Sequence, residues 1–252
     1  MYGRRYFAWQ KQGASDSARR MLPIVLDLVS PTSVLDVGCG TGAWLRVAME
    51  YGVEDVLGMD GGSGELVIPA DKFRAGDLED PLDPGRRFDL AICMEVAEHL
   101  SPGRARSLVE ELCRAADVVL FSAAIPGQDA PGSPVHQNEQ WQSYWAGLFA
   151  AAGHRTVDAI RPRIWEEPGI EFWYRQNAFL ALAPTVTLDI EGPTVIRDVV
   201  HPDLWRYVSP ELWGNSASPR ELLRRLPAAL KGATQRRHQA RRDRSMANRS
   251  SS

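Results

Sequence analysis

The stretch VLDVGCGTG at residues 34–42 constrains this chain more than any other part of it. A short apolar run of strand type, SVLDV at residues 33–37, breaks at Gly38, and helical spacing resumes over residues 43–51. A strand that turns sharply into a helix puts Gly38, Gly40 and Gly42 where a ligand can approach backbone N–H groups at a helix N-terminus. Further strands are expected at residues 55–59, 72–75, 88–94 and 118–122, with helical material over residues 104–116. The run FDLAICM at residues 88–94 is apolar nearly throughout, as a strand covered on both faces should be. Strands alternating with helices pair in parallel through right-handed crossovers, so the expected class is α/β with a Rossmann-like, doubly wound sheet.

The flanks are less regular. Residues 15–29 read as a helix with a kink at Pro23, and residues 138–153 as a helix whose stripe Trp141, Tyr144, Trp145, Leu148 and Phe149 faces the core. Residues 155–160 and 178–183 are candidate final strands, separated by a Pro- and Trp-rich insertion at 161–176. The organisation expected is an N-terminal helical, aromatic cap (1–32), the main domain (33–184), an extension without a readable element (185–218) and a basic tail (219–252). That tail carries ten Lys/Arg against two acids, which leaves 19 against 30 elsewhere, a body of net charge −11. An acidic body is not a nucleic-acid-binding surface, so nucleic acid is not expected as a partner. For the tail, two readings stand: a solvated, disordered segment, or a contact to anionic lipid or nucleic acid. No apolar run is long enough to span a bilayer and the start lacks a signal-peptide core, so a cytoplasmic protein without membrane insertion is expected. Cys39, Cys93 and Cys113 are odd in number and lie in apparent core elements, which fits reduced thiols.

Gly38, Gly40 and Ala43 also satisfy the dinucleotide fingerprint, so a nicotinamide or flavin ligand has to be weighed. Asp36 argues against it. A carboxylate two residues before the first glycine repels a nearby pyrophosphate but suits a zwitterionic, sulfonium-bearing ligand. Asp60, just after the second strand, lies where a carboxylate accepts both ribose hydroxyls, whichever the cofactor. Asp77 in AGDLED adds an acid at the next strand end, on the same carboxyl edge of the sheet. Each acid alone could be a helix cap or a turn; three in succession at one edge indicate a single cationic or hydroxyl-rich ligand.

With VLDVGCGTG, VLGMD, AGDLED and FDLAICMEVAEHL in order, residues 33–183 resemble the class I S-adenosylmethionine-dependent methyltransferases. The resemblance implies that Asp36, Gly38 and Gly40 hold the methionine end of S-adenosylmethionine, with Cys39 a loop residue and not a nucleophile. It places Asp60 with Gly61 at the ribose, Asp77 with the Leu78 N–H at the adenine edge, and Met94 and Glu95 at the reactive end. It also implies seven strands, the last of them antiparallel, for which residues 178–183 are the candidate.

Methyl transfer from sulfonium is an in-line displacement on an activated carbon, so positioning and exclusion of water dominate. A hydroxyl acceptor must lose a proton, for which a histidine is the usual base. Of the five histidines, His136 in SPVHQNEQW and His99 in EVAEHL are the candidate catalytic residues. For His136, acceptor chemistry competes with helix capping or loop packing. Glu95, Glu98 and His99 with His136 could ligate a divalent cation, as in the small-RNA 2'-O-methyltransferases and metal-using quinone-precursor O-methyltransferases they resemble. Metal-free relatives carry similar residues, so a metal is not the favoured reading. Tyr2, Tyr6, Phe7, Trp9, Trp165, Phe172, Trp173 and Tyr174 either pack the insertion onto the sheet or form a lid over a ring-shaped acceptor. The leading expectation is O-methylation of a small molecule, a sugar-containing or secondary metabolite. The alternatives are metal-assisted 2'-O-methylation of RNA, carboxyl or N-methylation of a small metabolite, and a non-catalytic cofactor-binding partner subunit. A homodimer is compatible with the sequence, which does not set the oligomeric state.

Overall fold

A computed structural model describes residues 4–62, 64–128, 136–187 and 189–208, with side chains from residue 13 to residue 207. The basic tail and the side chains of Tyr2, Tyr6, Phe7 and Trp9 lie outside these described residues. The chain runs α1 (Arg4–Val29), β1 (Ser33–Val37), α2 (Ala43–Glu50), β2 (Asp55–Asp60), β3 (Phe73–Ala75), β4 (Phe88–Met94), α3 (Ala105–Ala115) and β5 (Ala116–Ser122). It continues through α4 (Gln142–Ala151), β6 (Arg155–Val157), α5 (Arg161–Ile164), α6 (Phe172–Asn177), β7 (Phe179–Leu182) and α7 (Pro202–Val208). The seven strands form one sheet in the order β3-β2-β1-β4-β5-β7-β6. The pairs among β1 to β5 are parallel, and β7 is antiparallel to both of its neighbours. This is the doubly wound α/β sheet that the strand-helix alternation predicts, with the antiparallel final strand that the family resemblance implies.

Alternation along each strand sends side chains to two cores. Val34, Leu90, Ile92 and Leu120 face the layer that holds α1 and α2, whereas Leu35, Val37, Cys93, Val119 and Phe121 face the layer of α3 and α4. Phe121 sits at the centre of the second layer, with ring centroids 5.3, 5.2 and 5.5 Å from Trp145, Phe149 and Phe179. Burial of side chains of this size stabilises by roughly 1.5–3 kcal/mol each, enough for these central strands to anchor everything at their carboxyl ends.

The structure departs from sequence expectation in α1 and α4. Helix α1 begins by Arg4 and runs through Pro23 as one element. Helix α4 starts only at Gln142, so Trp141 falls before it and is 41% exposed, as is Tyr144 at 39%; Trp145 and Phe149 alone of the stripe are fully buried. The late start has a physical cause. Trp141 offers no capping side chain, and the cap comes from Asp198, whose two carboxylate oxygens accept the backbone N–H and the hydroxyl of Ser143, each at 2.8 Å.

Asp198 belongs to a strap, residues 189–204, in a region where no element was legible. The Pro193 carbonyl accepts the Asp158 N–H at 2.8 Å, and the Arg197 carbonyl accepts from the Arg161 guanidinium at 3.0 Å. The Gln142 amide exchanges hydrogen bonds with both backbone groups of Val199. The His201 N–H donates to Gln176 Oε1 at 2.8 Å, and Ile190, Ile196 and Leu204 are buried. Among the described residues no helix is long and apolar enough to cross a membrane.

Candidate active site

The glycine loop is shaped by a contact that excludes a side chain and a position that leaves open space. Gly38, at φ +77°, has the Val96 side chain so close that an added Cβ would lie 2.3 Å from it. Its N–H, with that of Cys39, is committed to the Met59 carbonyl at the end of β2. Gly40, at φ +54°, has nothing within 4 Å of where a Cβ would sit, so the loop opens there. Cys39 points away from the opening, against Gly58. Burial pushes its thiol far above the ordinary range, which suits a packing role and not a nucleophile.

Asp36 lies at the end of β1 between β2 and β4 and is 2% exposed. One of its carboxylate oxygens, Oδ2, has no hydrogen-bond partner among the described residues. Burial first, and the charge of Asp60 second, push its pKa up to about 8. A buried acceptor without a donor is costly, and a cationic donor brought by a ligand removes that cost. Asp60, at the end of β2, accepts the Gly40 N–H at 2.9 Å and the Gly62 N–H at 3.1 Å, so each oxygen keeps a second lone pair for a hydroxyl. Gly61 between them meets nothing within 4 Å. Asp77 accepts the Glu79 N–H at 2.9 Å, a turn that presents Leu78, and both follow β3 along the same edge.

Beyond β4 the chain makes a strained corner. Glu95 has φ +55°, a conformation uncommon for a residue with a side chain, and it is held there from both ends. Its N–H donates to the backbone and side-chain oxygens of Ser122, and its carboxylate accepts from Gln128 Nε2 at 2.7 Å and Asn177 Nδ2 at 3.1 Å. Burial pushes the Glu95 carboxyl upward, opposed by these hydrogen bonds. Gln128 and Asn177 are joined through Gln176, whose Nε2 donates to the side-chain oxygens of both at 3.0 Å. Since Gln176 Oε1 accepts the His201 N–H, a chain of amides runs from the C-terminal strap to Glu95. Met94 closes the end of β4 and is buried.

Sequence reasoning missed Gln128, Gln176 and Asn177. Amides carry no titration signal, and Gln128 lies 48 residues from Gln176 and its neighbour Asn177.

Residues 136–140 dock on the next turn, where the N–H groups of Gln137 and Asn138 both donate to the Glu98 carbonyl. The rings of His99 and His136 meet edge to face, 4.7 Å apart. His136 Nδ1 lies 2.9 Å from Glu139 Oε1, and the other oxygen of Glu139 accepts the Gly127 N–H at 2.8 Å. Glu139 was also missed, although its place three residues after His136 is readable. Glu98, His99 and His136 offer ligand atoms within 4.8 Å of one another. Glu98 is 1% exposed with Oε2 unpartnered among the described residues, and burial together with Glu95 pushes its carboxyl well above the ordinary range. Of the four residues weighed as metal ligands, these three come together, whereas the oxygens of Glu95 are occupied by amides. The aromatics of the insertion turn inward: Phe172 and Tyr174 are buried, the Tyr174 ring meets those of Trp44 and Trp173 edge-on at 5.3 and 6.1 Å, and Trp165 lies tilted against His201 at 4.5 Å.

A family model described as a methyltransferase domain matches residues 6–161, which takes in the glycine loop and its three acids. The chain belongs to this family. It carries the methyltransferase domain of the class I, S-adenosylmethionine-dependent family.

Among curated relatives, this methyltransferase is similar to a ubiquinone biosynthesis O-methyltransferase of Azorhizobium caulinodans, 34% identical over 77 residues, 27% of this chain and 30% of that one. One from Nitrobacter winogradskyi is 28% identical over 138 residues, covering 50% of this chain and 46% of that one. The chain thus spans less than half the length of these relatives. Among solved structures it is similar in fold to the sugar N-methyltransferase KedS8 of Streptoalloteichus, with TM-score 0.54 and 16% identity over 73% of this chain and 96% of that one. Streptomyces venezuelae DesVI gives TM-score 0.51 and 16% identity over 71% and 95%.

Proposed function

We propose that this methyltransferase methylates a hydroxyl of a small molecule, of the sugar-containing or secondary-metabolite kind, with His136 as the general base. The observation that carries the reading is the His136–Glu139 contact at 2.9 Å. A carboxylate fixed by the Gly127 N–H accepts a hydrogen bond from Nδ1–H, which leaves Nε2 as the basic nitrogen of an oriented imidazole. An acceptor hydroxyl set against Nε2 loses its proton there as its oxygen bonds to the methyl carbon and the sulfonium bond breaks. The O-methyltransferase relatives agree with oxygen as acceptor atom.

The residues fit the cofactor. Asp36, with its unpartnered oxygen, and the loop Gly38, Cys39 and Gly40 would hold the methionine end. Asp60 with Gly61 would hold the ribose, and Asp77 with Leu78 the adenine. Met94 and Glu95 would line the reactive end. When bound, S-adenosylmethionine supplies a methyl group already activated by positive sulfur.

A second reading has a specific observation behind it. The unpartnered Glu98 Oε2 beside two imidazoles suits a divalent cation, which would orient the acceptor oxygen and lower its pKa. The test is incubation with methyl-labelled cofactor and a panel of catechols, glycosides and bulk RNA, with and without chelator. Label in a hydroxylated small molecule that survives chelation supports the base reading, and loss on chelation favours the cation. Label in RNA alone overturns the small-molecule proposal, and cofactor binding without product from any acceptor favours a non-catalytic partner subunit.

A further inference from the structure

The loop that follows β3, residues 76–87, has no regular structure and buries little apolar surface, Leu78 and Leu82 being only half-buried. It is held by polar contacts to one helix. Arg104, in the turn that opens α3, is 6% exposed; its Nε donates to the Leu78 carbonyl at 2.9 Å and its Nη2 to the Asp80 carbonyl at 3.0 Å. The remaining guanidinium nitrogen bonds Ser107 Oγ at 2.7 Å. Glu111, two turns along the same face and 7% exposed, pairs with Arg104 and accepts the Leu82 N–H at 2.9 Å. Glu79 ties the loop from outside, its carboxylate accepting the N–H and hydroxyl of Ser101 at 2.6 and 2.8 Å.

The buried pair therefore grips backbone at residues 78, 80 and 82 in succession. A buried ion pair is weak evidence for stability, because desolvation offsets much of its attraction. What it provides here is a fixed position for the peptide at Leu78. We infer that Arg104 and Glu111 are positioning residues for recognition of the cofactor's base, holding the Leu78 backbone where it reads the adenine edge. This rests on the proposal that Asp77 and the Leu78 N–H face adenine. A peptide free to shift by an ångström would still meet a flat ring but would lose the hydrogen bonds that tell adenine from a base with reversed donors and acceptors.

The test is titration calorimetry with S-adenosylhomocysteine and with its inosine counterpart, S-inosylhomocysteine, which needs no acceptor. The wild-type protein should prefer the adenosine form by about tenfold or more. Arg104→Lys and Glu111→Gln should each weaken S-adenosylhomocysteine by about tenfold, leave the inosine form within about twofold of wild type and so remove most of the preference. Glu111→Gln keeps the shape but removes the charge that holds the Arg104 guanidinium, so it decides the matter if the lysine variant does not fold. Full preference retained in Glu111→Gln, or equal weakening of both ligands, overturns the inference. Loss of preference in Asp77→Asn with retention in both clamp variants would overturn the clamp alone. No preference in the wild-type protein would instead remove the adenine reading on which the clamp depends.

Discussion

His136 Nδ1 and Glu139 Oε1 lie 2.9 Å apart, one turn-length along the chain, on a segment whose backbone is anchored to the Glu98 carbonyl. The contact selects one tautomer of a ring already set edge-on to His99. If His136 is the base, His136→Ala should lower kcat by about 10²–10⁴-fold on a hydroxyl acceptor. Glu139→Gln should cost about tenfold, and both should leave the dissociation constant of S-adenosylhomocysteine unchanged. Initial rates with methyl-labelled cofactor and calorimetry check the two halves, and unchanged kcat in His136→Ala would remove the base from this position.

Asp36 makes cofactor affinity depend on pH. Its folded pKa is raised to about 8, so below that pH the ligand-free protein holds Asp36 protonated, whereas a ligand's ammonium group favours the carboxylate. Affinity for S-adenosylhomocysteine should then rise with pH, by up to tenfold per unit, and level off near pH 8, with about one proton released per ligand bound. The raised pKa acts on the ligand-free fold with the opposite sign: the contribution of Asp36 is most favourable below its unfolded value and declines as pH rises toward 8. Asp36→Asn should flatten both profiles, which calorimetry in buffers of different ionisation enthalpy and thermal melting can show.

Two glycines of one loop should separate folding from binding. Gly38→Ala drives a methyl group into Val96 at a positive φ, and a loss of about 2–4 kcal/mol in urea unfolding is expected. Gly40→Ala meets open space and should cost only about 1–2 kcal/mol for its left-handed backbone. In Gly40→Ala the cofactor should bind at least tenfold more weakly. Equal melting losses in the two variants would contradict this division.

Gln176 is fully buried and bonds Gln128, Asn177 and the His201 N–H at once. Gln176→Leu leaves the His201 N–H unpaired and takes one donor each from Gln128 and Asn177, and a loss of about 1–3 kcal/mol is expected. Hydrogen exchange should rise at His201 in the strap and at Glu95 together, because Gln176 bonds the His201 N–H and also the two amides that hold the Glu95 carboxylate. Faster exchange at only one of the two would break the proposed link.

The reach of the sequence follows from what each interaction depends on. Strands β1 to β5 and the residues Asp36, Gly38, Asp60 and Asp77 were legible because each sits within a local strand-turn-helix pattern whose geometry short-range sterics impose. The antiparallel direction of β7 followed from family resemblance and not from any local cue, and its place between β5 and β6 was not read from the sequence. The start of α4 was misplaced because its cap, Asp198, is 55 residues away. Gln128, Gln176 and Asn177 were invisible for a similar reason. A buried amide network is a property of three segments brought together by the sheet, and no one segment carries its signature.

The strap bears on how the protein can be handled as a fragment. A recombinant piece ending at residue 184, where the last strand is over and the sequence loses its pattern, would bare the outer rim of β6, uncap α4 and strip Gln176 of its partner at once. Such a piece would carry every residue of the proposed cofactor seat and still tend to self-associate through the uncovered strand. The shortest soluble unit should therefore extend to about residue 205, where the strap's last buried anchor, Leu204, has been included.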